Sequence, residues 1–280
     1  MNFAVFILSH KRADRVETYE SLRESGYTGD IIVVIDDEDD QQFTYYQRFN
    51  KDLVIFNKQR YIDTSDAIYP VERRSSALYA RNFIESVAKN RGYDGFIMID
   101  DDMQSFRYRW VEAGSVKSLR VGQFLDKVFE YYIQYMKDAG IATTSFPFSM
   151  FYTSGVKDLE QRISNFRHTY GVHIRNTDFP VEWKSVINQD TITELLTMQI
   201  GYIWWSIPFV VVDSLPMNRL SGGLKAVYDS ISDFNKAFLA VITNPSGCKV
   251  AYSESTRSSM YIKENRQATY PMIISGRYKK

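Results

Sequence analysis

Three short apolar runs, Phe3 to Leu8, Ile31 to Ile35 and Gly95 to Ile99, break off abruptly into polar residues, and this pattern limits the chain to few folds. A strand that is apolar at every position is buried on both faces, as in parallel sheets covered by helices. Between the first two runs, Val16, Tyr19 and Leu22 recur at helical spacing, and Gly26 supplies a helix stop. Before the third, Ala77, Ala80, Phe83, Ile84, Val87 and Ala88 form a second helical stripe that leads through Gly92. Strands alternating with helices in this way predict an α/β chain, a mostly parallel, Rossmann-like sheet flanked by helices. The second half is less regular. A helix is expected over Val121 to Met136, strands near Ile141 to Thr144 and over Gly201 to Ser206, and a long aromatic and basic stretch from Phe146 to Lys184. With neither an internal repeat nor a low-complexity linker, a single domain is expected.

Parallel sheets of this kind bind ligands at the carboxyl ends of their strands. The three runs end in Ser9-His10-Lys11-Arg12, in Asp36-Asp37-Glu38-Asp39-Asp40 and in Asp100-Asp101-Asp102, so parallel pairing brings all three clusters to one edge. Adjacent carboxylates repel one another unless a cation or strong donors neutralise them. Mg²⁺ or Mn²⁺ suits such a site, taking one or two carboxylates and leaving positions for phosphate oxygens. A helix cap or a solvated turn is the other reading, since Asp is common in both. Two classes of nucleotide-handling enzyme share the layout. Nucleotidyltransferases cradle a triphosphate in a glycine-rich loop, whereas Ser9 to Arg15 contains no glycine, which favours a glycosyltransferase.

Bulk properties narrow the classes further. The single cysteine, Cys248, excludes an intramolecular disulfide and a cysteine zinc cluster, and the three histidines, His10, His168 and His173, are not spaced as a zinc set. No apolar run approaches the roughly 18 residues a membrane helix needs, so a soluble, cytoplasmic protein is expected. Balanced totals of 34 basic and 34 acidic residues argue against a strongly electrostatic nucleic-acid binder. The end of the chain is nevertheless basic, through Arg257, Lys263, Arg266, Arg277, Lys279 and Lys280.

The first apolar strand, Asp36 and Asp37, the segment Ala80-Arg81-Asn82 and the run Phe96-Ile97-Met98-Ile99-Asp100-Asp101-Asp102 together resemble GT-A-fold glycosyltransferases, in which such a helix precedes a strand ending in an Asp-x-Asp motif. Asn188-Gln189-Asp190, followed by the stripe Ile192, Leu195, Leu196 and Ile200, is similar to the Glu-Asp motif and helix of the inverting members, with Gln189 in place of the first acid. The resemblance implies a nucleotide-sugar-binding half, residues 1–110, and an acceptor-binding and catalytic-base half, residues 111–280, of one GT-A domain. It implies donor contacts from Ser9, Arg12, Asp36, Arg81, Asp100 and Asp101. Among these, Asp36 would read the uracil or ribose, Arg81 would lie near the diphosphate, and Asp101 would occupy the variable middle position. Asp102 would be the metal ligand. Asp190 would be the general base, taking the acceptor hydroxyl's proton; a helix cap, at capping-box spacing with Thr191 and Glu194, is the alternative.

The opening segment Met1 to His10 and the chain length further resemble the DNA glucosyltransferases of T-even bacteriophages. That resemblance implies UDP-glucose as donor and, as acceptor, a glucose already attached to 5-hydroxymethylcytosine in DNA, giving a gentiobiose-type β linkage. DNA phosphates would then meet Arg162, Arg167, Arg175 and the tail from Arg257. His173 and Trp205 would face the acceptor sugar, and Ser221-Gly222-Gly223 would be a closing loop or an ordinary turn. Two other readings stand beside this one: a transferase acting on a non-DNA glycan or small acceptor, and a non-catalytic nucleotide- or divalent-ion-binding module.

Overall fold

The computed structural model describes residues 1–68, 74, 76–151, 155–156, 169–214, 231–252 and 260–264. The three apolar runs form β1 (Phe3–Leu8), β2 (Ile31–Asp36) and β4 (Gly95–Asp100), with α1 (Glu17–Glu24) between the first two and α4 (Ala77–Asn90) before the last. Unforeseen in the sequence, α2 (Gln42–Phe49), the short strand β3 (Leu53–Phe56) and α3 (Lys58–Thr64) intervene. After β4 come the hairpin strands β5 (Met103–Glu112) and β6 (Ser115–Arg120), then α5 (Leu125–Ala139), β7 (Thr143–Ser145) and β8 (Val172–Asn176). The remaining described elements are α6 (Gln189–Gln199), β9 (Trp204–Ser206), β10 (Val210–Ser214), α7 (Asp233–Thr243), β11 (Cys248–Tyr252) and β12 (Met260–Glu264).

Seven of these strands make one sheet in the order β3-β2-β1-β4-β8-β7-β9. Its pairings are parallel except where β8 runs antiparallel to β4 and β7. Residues alternate across the sheet. Ala4, Phe6, Leu8, Ile32, Val34, Phe96 and Met98 face α4, α6 and α7, whereas Val5, Ile7, Ile31, Val33, Ile35, Ile97 and Ile99 face α1, α2 and α5. This is the GT-A-like, helix-flanked α/β architecture expected from the sequence.

One close approach fixes the hairpin's return to the sheet. Gly26 has φ +81°, and a Cβ there would sit 2.5 Å from the backbone of Gln123. Only glycine lets the end of α1 touch the segment that leads into α5. No helix among the described residues is long and apolar enough to cross a membrane.

Candidate active site

Because β2, β1 and β4 are parallel neighbours, their ends meet at one edge of the sheet, with Leu8 in register with both Val34 and Asp100. A cavity of about 220 Å³ opens there, lined by Ser9, His10, Arg12, Asp36, Lys58 and Asp100 to Asp102, with Ala77 and Ala80 of α4 forming a wall.

The three carboxylates after β4 are not equivalent. Asp101 is only 3% exposed, and its two oxygens accept hydrogen bonds from Ser9 Oγ at 2.6 Å and Arg12 Nη1 at 2.8 Å. Ser9 also pairs with the Tyr45 hydroxyl, so Ser9, Arg12 and Asp101 tie two loops together. Asp101 lines the cavity, but each of its oxygens already accepts a hydrogen bond from within the protein.

Thr18 pins the same turn, donating to the Asp100 carbonyl at 2.6 Å and accepting from the Met103 amide at 2.9 Å. Asp100 and Asp102 are left as the more accessible pair. Burial, opposed by Arg81 and reinforced by Asp102, Asp190 and Asp101, pushes Asp100 up to about 7. Burial and the neighbouring Asp101 push Asp102 up to about 6. Two carboxylates that resist ionisation side by side form a donor set suited to a hard divalent ion. Among the described residues no three or more His, Cys, Asp or Glu side chains are placed to hold a metal ion by themselves, so such an ion would draw its remaining ligands from phosphate and water.

Of the acidic cluster after β2, Asp36 faces the cavity. Asp37 accepts from Asn57 and the Lys58 amide, and Asp39 accepts from the Lys11 and Gln41 amides. Both are spent on loop structure. Lys58, 4% exposed, places its Nζ 3.3 Å from Asp36 and 3.5 Å from Glu38. Burial works to raise the Asp36 pKa, but the His10 ring at 3.1 Å and Lys58 together bring it below its usual value. Lys58 went unnoticed in the sequence; its only signal there was its position just after the short apolar run Leu53 to Phe56.

Asp190 stands in the first turn of α6, whose N-cap residue, Asn188, makes no side-chain capping hydrogen bond. The Asp190 Oδ1 accepts from Arg81 Nη1 at 2.8 Å and lies 2.9 Å from His173 Nε2. Arg81 reaches on toward Asp100, with Nη2 4.0 Å from its Oδ1, and its guanidinium lies 4.4 Å over the Trp183 ring. Burial acts to raise Asp190, yet Arg81 and His173 prevail and hold its pKa down at about 2. Burial lowers His173 despite its hydrogen bond to Asp190, favouring the neutral ring.

His173 is 1% exposed and packs against Trp183 and Trp204, so it supports Asp190 from behind and does not face a sugar. Arg175 is 0% exposed; it donates to Glu85 at 2.9 Å and to the carbonyls of Ala142 and Phe179 at 2.8 Å. Enclosed this way, it is out of reach of DNA phosphates. Trp205 lies across the sheet from this constellation, beside Tyr135, because adjacent strand residues face opposite ways and Trp204 takes the His173 side. Arg162, Arg167, Ser221 to Gly223 and Arg257 lie outside the described residues.

The fold is that of a GT-A-like glycosyltransferase. Sequence comparison agrees: the profile of the TET-associated glycosyltransferases matches residues 3–206, from the first residue of β1 to the last of β9. The chain belongs to that family. Among solved structures it is similar to a mannosyltransferase from Pyrobaculum calidifontis in complex with GDP-Man and Mn²⁺, at 13% identity and a TM-score of 0.46, covering 78% of this chain and 58% of that one. It is also similar to glucosyl-3-phosphoglycerate synthase from Mycobacterium tuberculosis in complex with Mn²⁺, UDP-Glc and phosphoglyceric acid, at 8% identity and a TM-score of 0.48, covering 97% and 88%. A third is S. aureus TarS 1-349 in complex with UDP-GlcNAc, at 13% identity and a TM-score of 0.42, covering 87% and 66%. The chain thus spans under two thirds of the length of the mannosyltransferase and of TarS 1-349. No curated protein sequence matches it.

Proposed function

We propose that the protein is a divalent-metal-dependent inverting glucosyltransferase that moves glucose from UDP-glucose to a glucose carried by 5-hydroxymethylcytosine in DNA, forming a gentiobiose-type β linkage. The observation that carries the catalytic reading is Arg81, whose guanidinium binds Asp190 at 2.8 Å and lies 4.0 Å from Asp100. One cation thereby joins a carboxylate able to act as base to the carboxylates at the end of β4. The donor and acceptor come from the resemblance of the opening segment, and membership of a glycosyltransferase family supports sugar transfer.

In this reading residues 1–110 form the donor half and residues 111–280 the acceptor and base half. Asp36 and Lys58 receive the nucleoside, and Asp100 and Asp102 hold the metal. A divalent ion there would neutralise charge on the departing diphosphate. Asp190 takes the acceptor hydroxyl's proton while that oxygen bonds to the anomeric carbon from the face opposite the diphosphate. The bond to the diphosphate breaks, its electron pair leaves with UDP, and an α-linked donor gives a β-linked product.

A carboxylate held near 2 is a feeble base. The diphosphate arriving beside Arg81 shares that guanidinium's charge, weakens its hold on Asp190 and strengthens the base once donor is in place.

The experiment is incubation with UDP-glucose and glucosylated 5-hydroxymethylcytosine DNA, followed by mass spectrometry of the digested nucleosides. One added hexose, released by a β-glucosidase, is the expected result. Transfer to free saccharides with none to DNA would replace the acceptor assignment.

A further inference from the structure

β5 departs directly after Asp102 and returns as β6, with Arg107 in register with Arg120, Arg109 with Ser118, Tyr108 with Leu119 and Trp110 with Lys117. Antiparallel partners project from the same face, and alternate residues share it. Arg107, Arg109 and Arg120 therefore lie on one face of the hairpin, while its single acid, Glu112, lies on the other with Trp110 and Lys117. Like charges directly opposite one another are unfavourable. Even so, no acidic side chain among the described residues pairs with Arg107 or Arg120; Arg107 donates only to Ser118 Oγ, at 2.9 Å. Arg109 helps anchor the face by donating to the Ser149 carbonyl at 3.3 Å. Behind it, Trp110 and Leu119 are 40% and 62% exposed.

We propose that the Arg107–Arg120 face is a docking surface for the phosphate backbone of a nucleic acid. A facing pair of guanidinium groups on a paired strand presents planar forks suited to phosphate oxygens, and a polyanion relieves their mutual repulsion. Arg107 follows Asp102 by five residues, about 17 Å along an extended strand. A backbone held there passes within reach of the transfer site. The proposal rests on the DNA-acceptor reading above and names the element that grips the DNA.

The test is fluorescence anisotropy of a labelled duplex across a NaCl series, with wild type, R107A/R120A and R107K/R120K. The alanine variant should bind about tenfold more weakly, and its log-affinity against log-salt slope should shrink by roughly two, the value for two lost phosphate contacts. The lysine variant should keep most of the affinity and slope, and UDP-glucose affinity should be the same in all three. Duplex affinity and slope unchanged in R107A/R120A would overturn the assignment while leaving the DNA acceptor in place. Weakened binding of R107A/R120A to anionic phospholipid vesicles, with duplex binding unaffected, would overturn it in favour of a membrane surface. Wild type without affinity for any duplex would remove both readings. Hairpin-dependent duplex binding without sugar transfer to modified DNA would keep the docking surface and remove only the acceptor chemistry.

Discussion

His173 Nε2 lies 2.9 Å from the Asp190 carboxylate, and its other ring nitrogen has no hydrogen-bond partner among the described residues. A neutral imidazole in that setting has one N–H to give, and Asp190 receives it. His173→Leu removes this support while keeping the site apolar. We expect kcat to fall by about tenfold to a hundredfold with little change in donor KM. The acidic limb of the kcat/KM profile should move to higher pH, because His173 is one of the groups holding Asp190 low. His173→Gln, which restores a donor, should recover part of the loss; an unmoved profile in His173→Leu would remove the positioning role.

Asp190→Asn keeps shape and removes proton affinity. Turnover should drop by about 10²- to 10⁴-fold, the range for loss of a general base. Calorimetry should still find UDP-glucose and Mn²⁺ binding, since Asp190 does not line the donor cavity. Turnover at the wild-type rate would exclude Asp190 as base.

The Asp100 and Asp102 carboxylates, pushed up to about 7 and about 6 chiefly by burial, set a pH dependence. An acid raised above its unfolded value contributes stability below that value, and the contribution is lost as pH rises through the folded pKa. The ligand-free protein should therefore lose stability between about pH 4 and 7 from this pair, and a bound divalent ion should offset the loss. Asp190, held near 2, contributes stability above its ordinary value of 3.8 and loses it only in stronger acid, so it is silent over that window. Calorimetric scans at several pH values, with and without Mn²⁺ and UDP, check this; Asp100→Asn with Asp102→Asn should flatten the profile and abolish metal binding.

Arg175 and Glu85 form a buried ion pair at 2.9 Å beneath β8. Removing one partner strands the other charge, so Arg175→Met should cost about 3–5 kcal/mol in urea unfolding. Glu85→Gln should cost less, because burial already raises the Glu85 pKa. Duplex affinity should be untouched in whichever variant folds, in contrast to R107A/R120A.

Much of the frame was legible in the chain itself. β1, β2 and β4 are apolar at nearly every position, and α1 and α4 carry clear helical stripes, so burial alone identifies them. β3 escaped notice because it is four residues long and only its last is buried. The β5–β6 hairpin escaped because few of its residues are buried, leaving little hydrophobic pattern to read. Arg175 illustrates the opposite error. An arginine beside aromatic and basic neighbours looks like a surface contact, and nothing in the local sequence announces Glu85, 90 residues earlier, as its partner.

By itself the sequence determined that parallel strands would end in acidic and polar clusters at one edge, because short-range hydrophobic pattern encodes strand, helix and direction. What each charged side chain does there was decided only by tertiary structure. Asp101 is bonded to Ser9 and Arg12, Lys58 is drawn beside Asp36, and Arg81 bridges Asp100 and Asp190 across 90 residues of chain. The physical reason is that a charge's pKa, burial and partners depend on distances through space, which the order of residues along the backbone does not contain.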